Sequence, residues 1–316
     1  MALENLFDML GGLGLFLLGI KEMTQSLEKI SHTFIKDVID RFTKNKYMAM
    51  LIGLFVTMIV QSSSAVTVII VGMVDSGLMA LSRAAAIIMG ANIGTTVTSL
   101  IIAINLLGLA PILIFLGVIF VFLKNKFFKT LGSILTGFGL LFLGMNMMSQ
   151  AAKPLSSLPV MSEFLRSFSN PLIGLLFGVT FTAIVQSSSV SIGMLEALGL
   201  AGAISLRNAA FIIYGQNIGT CVTALIAAFG AGRNAKRTVA IHILFNSIGA
   251  LLFVTLTLFT PLLSLIEAAF AQNIMFQISA LHILFNVVST LILLPASDYL
   301  VRLARRLVPD GGIARK

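Results

Sequence analysis

Four consecutive polar residues, Gln61-Ser62-Ser63-Ser64, interrupt an apolar stretch, and the same four recur as Gln186-Ser187-Ser188-Ser189. Amides and hydroxyls can hold a small oxyanion or an alkali cation. In lipid they are costly unless a ligand or a wet cavity takes up their hydrogen bonds. Twenty-nine residues beyond each glutamine comes a second paired element, Gly90-Ala91-Asn92-Ile93-Gly94-Thr95 and Gly215-Gln216-Asn217-Ile218-Gly219-Thr220. The copies stand 125 residues apart without a gap, and 24 of 51 positions are identical between 53–103 and 178–228. The chain is therefore an internal duplication with its polar chemistry at matching places.

The elements that carry these motifs belong to a membrane protein. The 316 residues are 58% hydrophobic and 10% charged, with a mean hydropathy of +1.03. Soluble domains carry about a quarter charged residues, so the excess implies an all-α polytopic membrane protein with the lipid bilayer as its main partner. The net charge of +9 resides mostly in short loops between apolar runs, which points to membrane orientation and excludes nucleic acid as a partner. The lone Cys221 replaces Thr96 of the first copy and reads as a small packing residue. Met1 to Glu4 has no basic n-region, so no cleavable signal is expected.

Full crossings are expected at 6–23, 82–104, 107–123, 135–148, 206–228, 239–259 and 274–294. The amphipathic stretch 26–46 reads as a separate helix in the interface. Residues 47–81 and 171–204 are apolar but broken at their centres by the polar quartets. Each arm is too short to span, which predicts two re-entrant helical hairpins turning inside the membrane beside a cavity. The paired glycines around Asn92 and Asn217 predict locally unwound, broken transmembrane helices over 82–104 and 206–228.

Three crossings per repeat is an odd number, so the repeats should be inverted. With 29–46 cytoplasmic, 17 basic residues fall inside and 3 outside, Lys21 closing the first span. That layout places the protein in the cell membrane with a cytoplasmic C-terminus. It divides the chain into a first inverted repeat (1–125), a second (126–260) and a final span with a basic tail (261–316). The two hairpins then enter from opposite sides and their tips can meet.

Tips that each open a short helix favour a compact oxyanion, through the helix N-termini and serine hydroxyls. The unwound segments would offer neutral oxygens, which suit sodium better than a divalent ion. No His/Cys/Asp/Glu cluster has metal-ligand spacing, and no G-x-x-x-x-G-K-[ST] element is present, so neither a transition metal, nor ATP, nor any cofactor beyond sodium as co-substrate is expected.

The paired Gln-Ser-Ser-Ser quartets, each followed by Gly-x-Asn-Ile-Gly-Thr, resemble the type II sodium–phosphate cotransporter family over about residues 12–286. The resemblance implies sodium-coupled transport of inorganic phosphate and no enzymatic activity. It implies phosphate contacts from Ser62, Ser63, Ser64, Ser187, Ser188 and Ser189. Sodium contacts are implied from Gln61 and Gln186, and ion-site lining from Asn92, Thr95, Thr96, Asn217, Thr220 and Thr223. Electrogenic animal relatives place an aspartate in the segment matching 74–78, where this chain has Gly77. With a site of neutral oxygens, two sodium ions per HPO4 dianion would leave the loaded carrier neutral. Many bacterial relatives add a cytoplasmic regulatory domain, and these 316 residues are expected to hold none. The resemblance leaves a homodimer open.

Other readings attach to single residues. Ile241-His242-Ile243-Leu244-Phe245-Asn246 recurs as Leu281-His282-Ile283-Leu284-Phe285-Asn286, and hydrogen-bonded packing outweighs a pH-responsive gate. Glu196 is an intramembrane acid that could couple an ion or proton, or sit in water at the outer mouth. Asp75 and Arg83 read as a local ion pair. Transport of another oxyanion, such as arsenate or sulfate, and proton coupling are the alternatives within transport. A channel, a purely regulatory membrane partner and an intramembrane serine protease with His242 or His282 as base are the alternatives outside it, and a single-nucleophile enzyme has no use for duplication.

Overall fold

The computed structural model describes residues 2–42, 45–271 and 273–310, with side chains described from residue 3 to 28 and then over the latter two segments. Among the described residues there is no strand. The helices, in order, are α1 (Ala2–Phe42), α2 (Lys46–Val60), α3 (Ser63–Asp75), α4 (Leu81–Ala103), α5 (Ala110–Phe122) and α6 (Lys126–Ser156). There follow α7 (Pro159–Ser167), α8 (Pro171–Val185), α9 (Ser188–Leu200), α10 (Leu206–Gly219), α11 (Cys221–Ala227) and α12 (Arg233–Phe259). The chain ends with α13 (Leu262–Ala269), α14 (Ile274–Leu293) and α15 (Ser297–Leu307).

Six stretches are long and apolar enough to cross a membrane: Leu3–Glu28, Leu81–Ala103, Lys126–Ser156, Leu206–Ala227, Arg233–Phe259 and Ile274–Leu293. The protein is thus a multi-pass helical membrane protein. Three expectations change. The stretch 26–42 is no separate helix, because α1 continues through it without a break. The segment at 107–123 is shorter than expected, a 3-10 turn, Leu107–Leu109, followed by the 13-residue α5, against roughly 20 residues for a straight span.

The third change concerns the broken helices. Leu81–Ala103 is one unbroken helix, and the second copy is interrupted only at Thr220, whose backbone stays right-handed helical. The glycines there serve packing. A Cβ on Gly90 would collide with the Met50 carbonyl of α2, and one on Gly53 with the Ile87 carbonyl of α4. The second copy repeats this at Gly215 against Leu175 and Gly178 against Ile212. Bare backbone on both partners lets each hairpin's first arm lie directly on the following span.

Both hairpins return to the side they start from. At the base of the first, Lys46 donates to the Pro295 carbonyl at 3.1 Å, and Asp75 accepts from the Gly232 amide at 3.1 Å and the Ala235 amide at 3.4 Å. Asp75 therefore caps the start of α12, a favourable place for a carboxylate, and is not paired with Arg83 as expected. At the base of the second, Asn208 donates to the Leu165 carbonyl of α7 at 3.0 Å. Tyr214 meets Thr257 at 2.7 Å while Asn246 meets Cys221 at 3.4 Å, so α10–α11 and α12 run antiparallel. The hairpin bases consequently lie toward opposite ends of α12.

Helices α1 and α6 also run antiparallel and in backbone contact. A Cβ on Gly12 would lie 2.8 Å from the Gly144 carbonyl, and one on Gly137 would lie 2.8 Å from the Gly19 carbonyl. Gly12 and Gly137, like Gly19 and Gly144, are equivalents under the 125-residue offset, so each helix meets the other through the same pair of positions.

Candidate functional site

The quartets form two near-identical turns. Gln61 ends α2 in the left-handed region (φ 59°, ψ 22°), with its amide on the Thr57 carbonyl at 2.7 Å. Gln186 ends α8 with the same angles and its amide on the Thr182 carbonyl at 2.7 Å. Ser62 then caps α3, accepting from the Ala65 amide at 3.2 Å, and Ser187 caps α9, accepting from the Val190 amide at 3.3 Å. The next two amides at each tip, those of Ser63 and Ser64 and of Ser188 and Ser189, have no carbonyl within their own helix to bind. A positive helix end and two unspent donors therefore face outward at each tip.

The tips meet. Gln61, Ser62, Ser63 and Ser64 line one cavity of about 320 Å³ together with Gln186, Ser187, Ser188 and Ser189. Thr98 of α4 lines it too, and its hydroxyl donates to Gln61 Oε1 at 2.6 Å. The remaining wall is α1, which contributes Leu17, Ile20, Lys21, Thr24, Gln25 and Glu28. Sequence reasoning missed this wall because α1 carries no polar repeat. Its spacing of three and four residues along one stripe was the available signal.

Asn92, Thr95, Thr96, Asn217, Thr220 and Thr223 do not line the cavity. Their side chains are turned back onto their own helices: Asn92 to Ile88, Thr95 to Ala91, Thr96 to Ile93, Asn217 to Ile213, Thr220 to Gln216 and Thr223 to Thr220, at 2.7–3.0 Å. Behind them lie the two His-Ile-Leu-Phe-Asn motifs. His242 Nε2 is 3.4 Å from Asn92 Nδ2, His282 Nδ1 is 3.5 Å from Ser99 Oγ, and Asn286 donates to Asn217 Oδ1 at 3.3 Å. The motifs thus brace α4 and α10 by hydrogen-bonded packing. Neither of these histidines lines the cavity, which leaves the tip serines without either base that a protease reading invoked. Glu196 is fully buried, away from the watery mouth suggested for it, and also lies outside the cavity lining.

Gly77 lies beyond the far end of α3, about 20 Å from the tip at 1.5 Å per residue, with open space around it. It does not face the cavity, so its identity carries no argument about charge at the tips.

The model of the Na+/Pi-cotransporter family matches residues 15–150 and 155–306. The chain belongs to this family. It is a transporter family, and the chain is no enzyme. The chain is 35% identical over 297 residues to the Bacillus subtilis protein named "Uncharacterized protein YqeW", covering 93% of this chain and 95% of that one. It is 29% identical over 313 residues to the Salmonella typhimurium protein named "Putative inorganic phosphate export protein YjbB", covering 97% of this chain but 56% of the relative. A stretch of 100 residues is 41% identical to the rat "Sodium-dependent phosphate transport protein 2A", covering 30% of this chain and 15% of that protein. No solved structure matches the chain.

Proposed function

We propose that this family member is a secondary carrier that moves inorganic phosphate across the cell membrane, coupled to sodium, by alternating access between two inverted repeats. The observation that carries the reading is the convergence of both Gln-Ser-Ser-Ser tips on one cavity. Two helix N-termini and six serines give that cavity the donors a tetrahedral oxyanion needs. Gln61 and Gln186 each offer an amide oxygen to a cation beside those donors, which brings both substrates to one point. The antiparallel α1–α6 pair and the hairpin bases at opposite ends of α12 support inversion. The 17-to-3 distribution of basic residues supports a cytoplasmic C-terminus. Asn92, Asn217 and the threonines beside them support the tips from behind in this reading.

Proteoliposomes holding the purified chain test it. Labelled phosphate should accumulate against its gradient when sodium is higher outside, and stop accumulating when potassium replaces sodium. Uptake indifferent to sodium but driven by a pH gradient would replace sodium with protons. Equal competition by sulfate would widen the substrate to oxyanions in general.

A further inference from the structure

The α1 wall changes the charge of the site. Of the described residues lining the cavity, Lys21 is the single cation and Glu28 the single acid, and they stand seven residues apart on one stripe of α1. Seven residues is about 10 Å of helix rise. The ion pairs among the described residues are Lys46 with Asp298 and Arg237 with Asp310, so Lys21 faces the cavity without an acidic partner. Lys21 is exposed, so its ammonium stays hydrated and open to an anion drawn into the cavity by the two positive helix ends.

We propose that Lys21 binds the anionic substrate directly, supplying the one full positive charge that the serines and helix ends lack. The inference rests on the reading of the cavity as a phosphate site and adds a residue to it. Neutral hydroxyls and amides can orient a tetrahedral dianion but leave most of its charge uncompensated. A lysine on the facing wall compensates half of it before any sodium binds. Its flexible four-carbon stem can follow the anion as the tips move, which a fixed backbone amide cannot. Glu28, at the other end of the stripe, keeps the anion toward the Lys21 end.

Equilibrium binding of labelled phosphate to the purified full chain in sodium tests the proposal. Lys21→Met should raise the phosphate Kd by about tenfold or more, the scale of a lost charge-assisted hydrogen bond, and Lys21→Arg by less than about threefold. Lys21→Cys should bind as weakly as Lys21→Met, then regain affinity when a thiol reagent attaches an aminoethyl group. A neutral methyl reagent should restore nothing. The native Cys221 is buried, and the wild-type chain treated alike controls for it. Recovery on a folded protein separates a role in binding from damage to the fold. A Kd within about twofold of wild type for Lys21→Met, or equal recovery with both reagents, would overturn the proposal. A wild-type chain that binds no phosphate in sodium overturns the phosphate reading itself, and the role of Lys21 with it.

Discussion

The two hairpins share a motif and a tip geometry but are held differently. In the first, α2 buries six of its fifteen residues, packing on α4 and α1; in the second, α8 buries three of fifteen, Gly174, Gly178 and Thr182. Gln61 is half-buried and fastened to Thr98, whereas Gln186 is exposed and its side chain has no partner among the described residues. The base of the first hairpin is tied to α12 through Asp75; the matching residue of the second is Leu200, which cannot make that bond. The return arms reverse the order, since α9 is buried along most of its length. Equal sequence at the tips therefore coexists with unequal restraint along the arms. Few buried contacts make a segment cheap to open, so α8 is the arm expected to move first.

The most damaging way to test this comparison is to fill the grooves on which both first arms lie. Gly90→Ala and Gly215→Ala each set a methyl against a backbone carbonyl that cannot move aside. Each should cost about 1–3 kcal/mol in thermal or denaturant stability and abolish most transport, since overpacking forces backbone shifts. Because α8 has less else to hold it, Gly215→Ala should cost transport more than stability relative to Gly90→Ala. Equal ratios in the two variants would show that the hairpins are equally restrained.

A smaller change isolates the tips. Thr98→Val removes the donor to Gln61 and should cost about 1 kcal/mol, seen as a lower melting temperature and weaker phosphate uptake at limiting phosphate. Thr223→Val, at the matching position, removes a hydroxyl that bonds only its own helix, so it should change uptake by less than about half as much. If the two variants behave alike, the fastening of Gln61 is no real difference between the hairpins.

The smallest effect concerns the anchor of the first hairpin at the start of α12. There Arg237 donates to Asp310 at 2.6 Å, and this bond holds the exposed Asp310 carboxyl below its ordinary range. A depressed folded-state pKa contributes stability above the unfolded-state value, and that contribution is lost as pH falls through the folded one. Acidification should therefore bring the wild-type melting temperature toward that of Asp310→Asn, with a small gap at neutral pH because the pair is open to water. A gap that widens in acid would reverse the sign and remove the pair from the anchor.

Much of this was legible in the chain itself. The hairpins could be read because four polar residues in a stretch too short to cross twice leave few alternatives, and the meeting of the tips followed from the odd number of crossings expected per repeat. The unwound helices were misread because glycine serves two ends, backbone freedom and close approach, and local sequence does not separate them. Gly90 and Gly53 declare their use only when α2 lies against α4. Lys21 was passed over for the opposite reason. Its equivalent under the 125-residue offset is Asn146, so a search guided by duplication has nothing to find there.

The polar side chains of α4, α10, α12 and α14 mostly spend a hydrogen bond on their own helix, as Asn92, Thr95, Asn217, Asn246 and Asn286 do on the carbonyl four residues back. This bears on how the protein is made. A nascent helix released sideways into the bilayer meets hydrocarbon before it meets its neighbours, and an amide with no partner would resist that step. Here each helix carries much of its own hydrogen bonding as it inserts. The bonds between helices, such as Asn286 to Asn217, are then added during assembly, by side chains that have already left water.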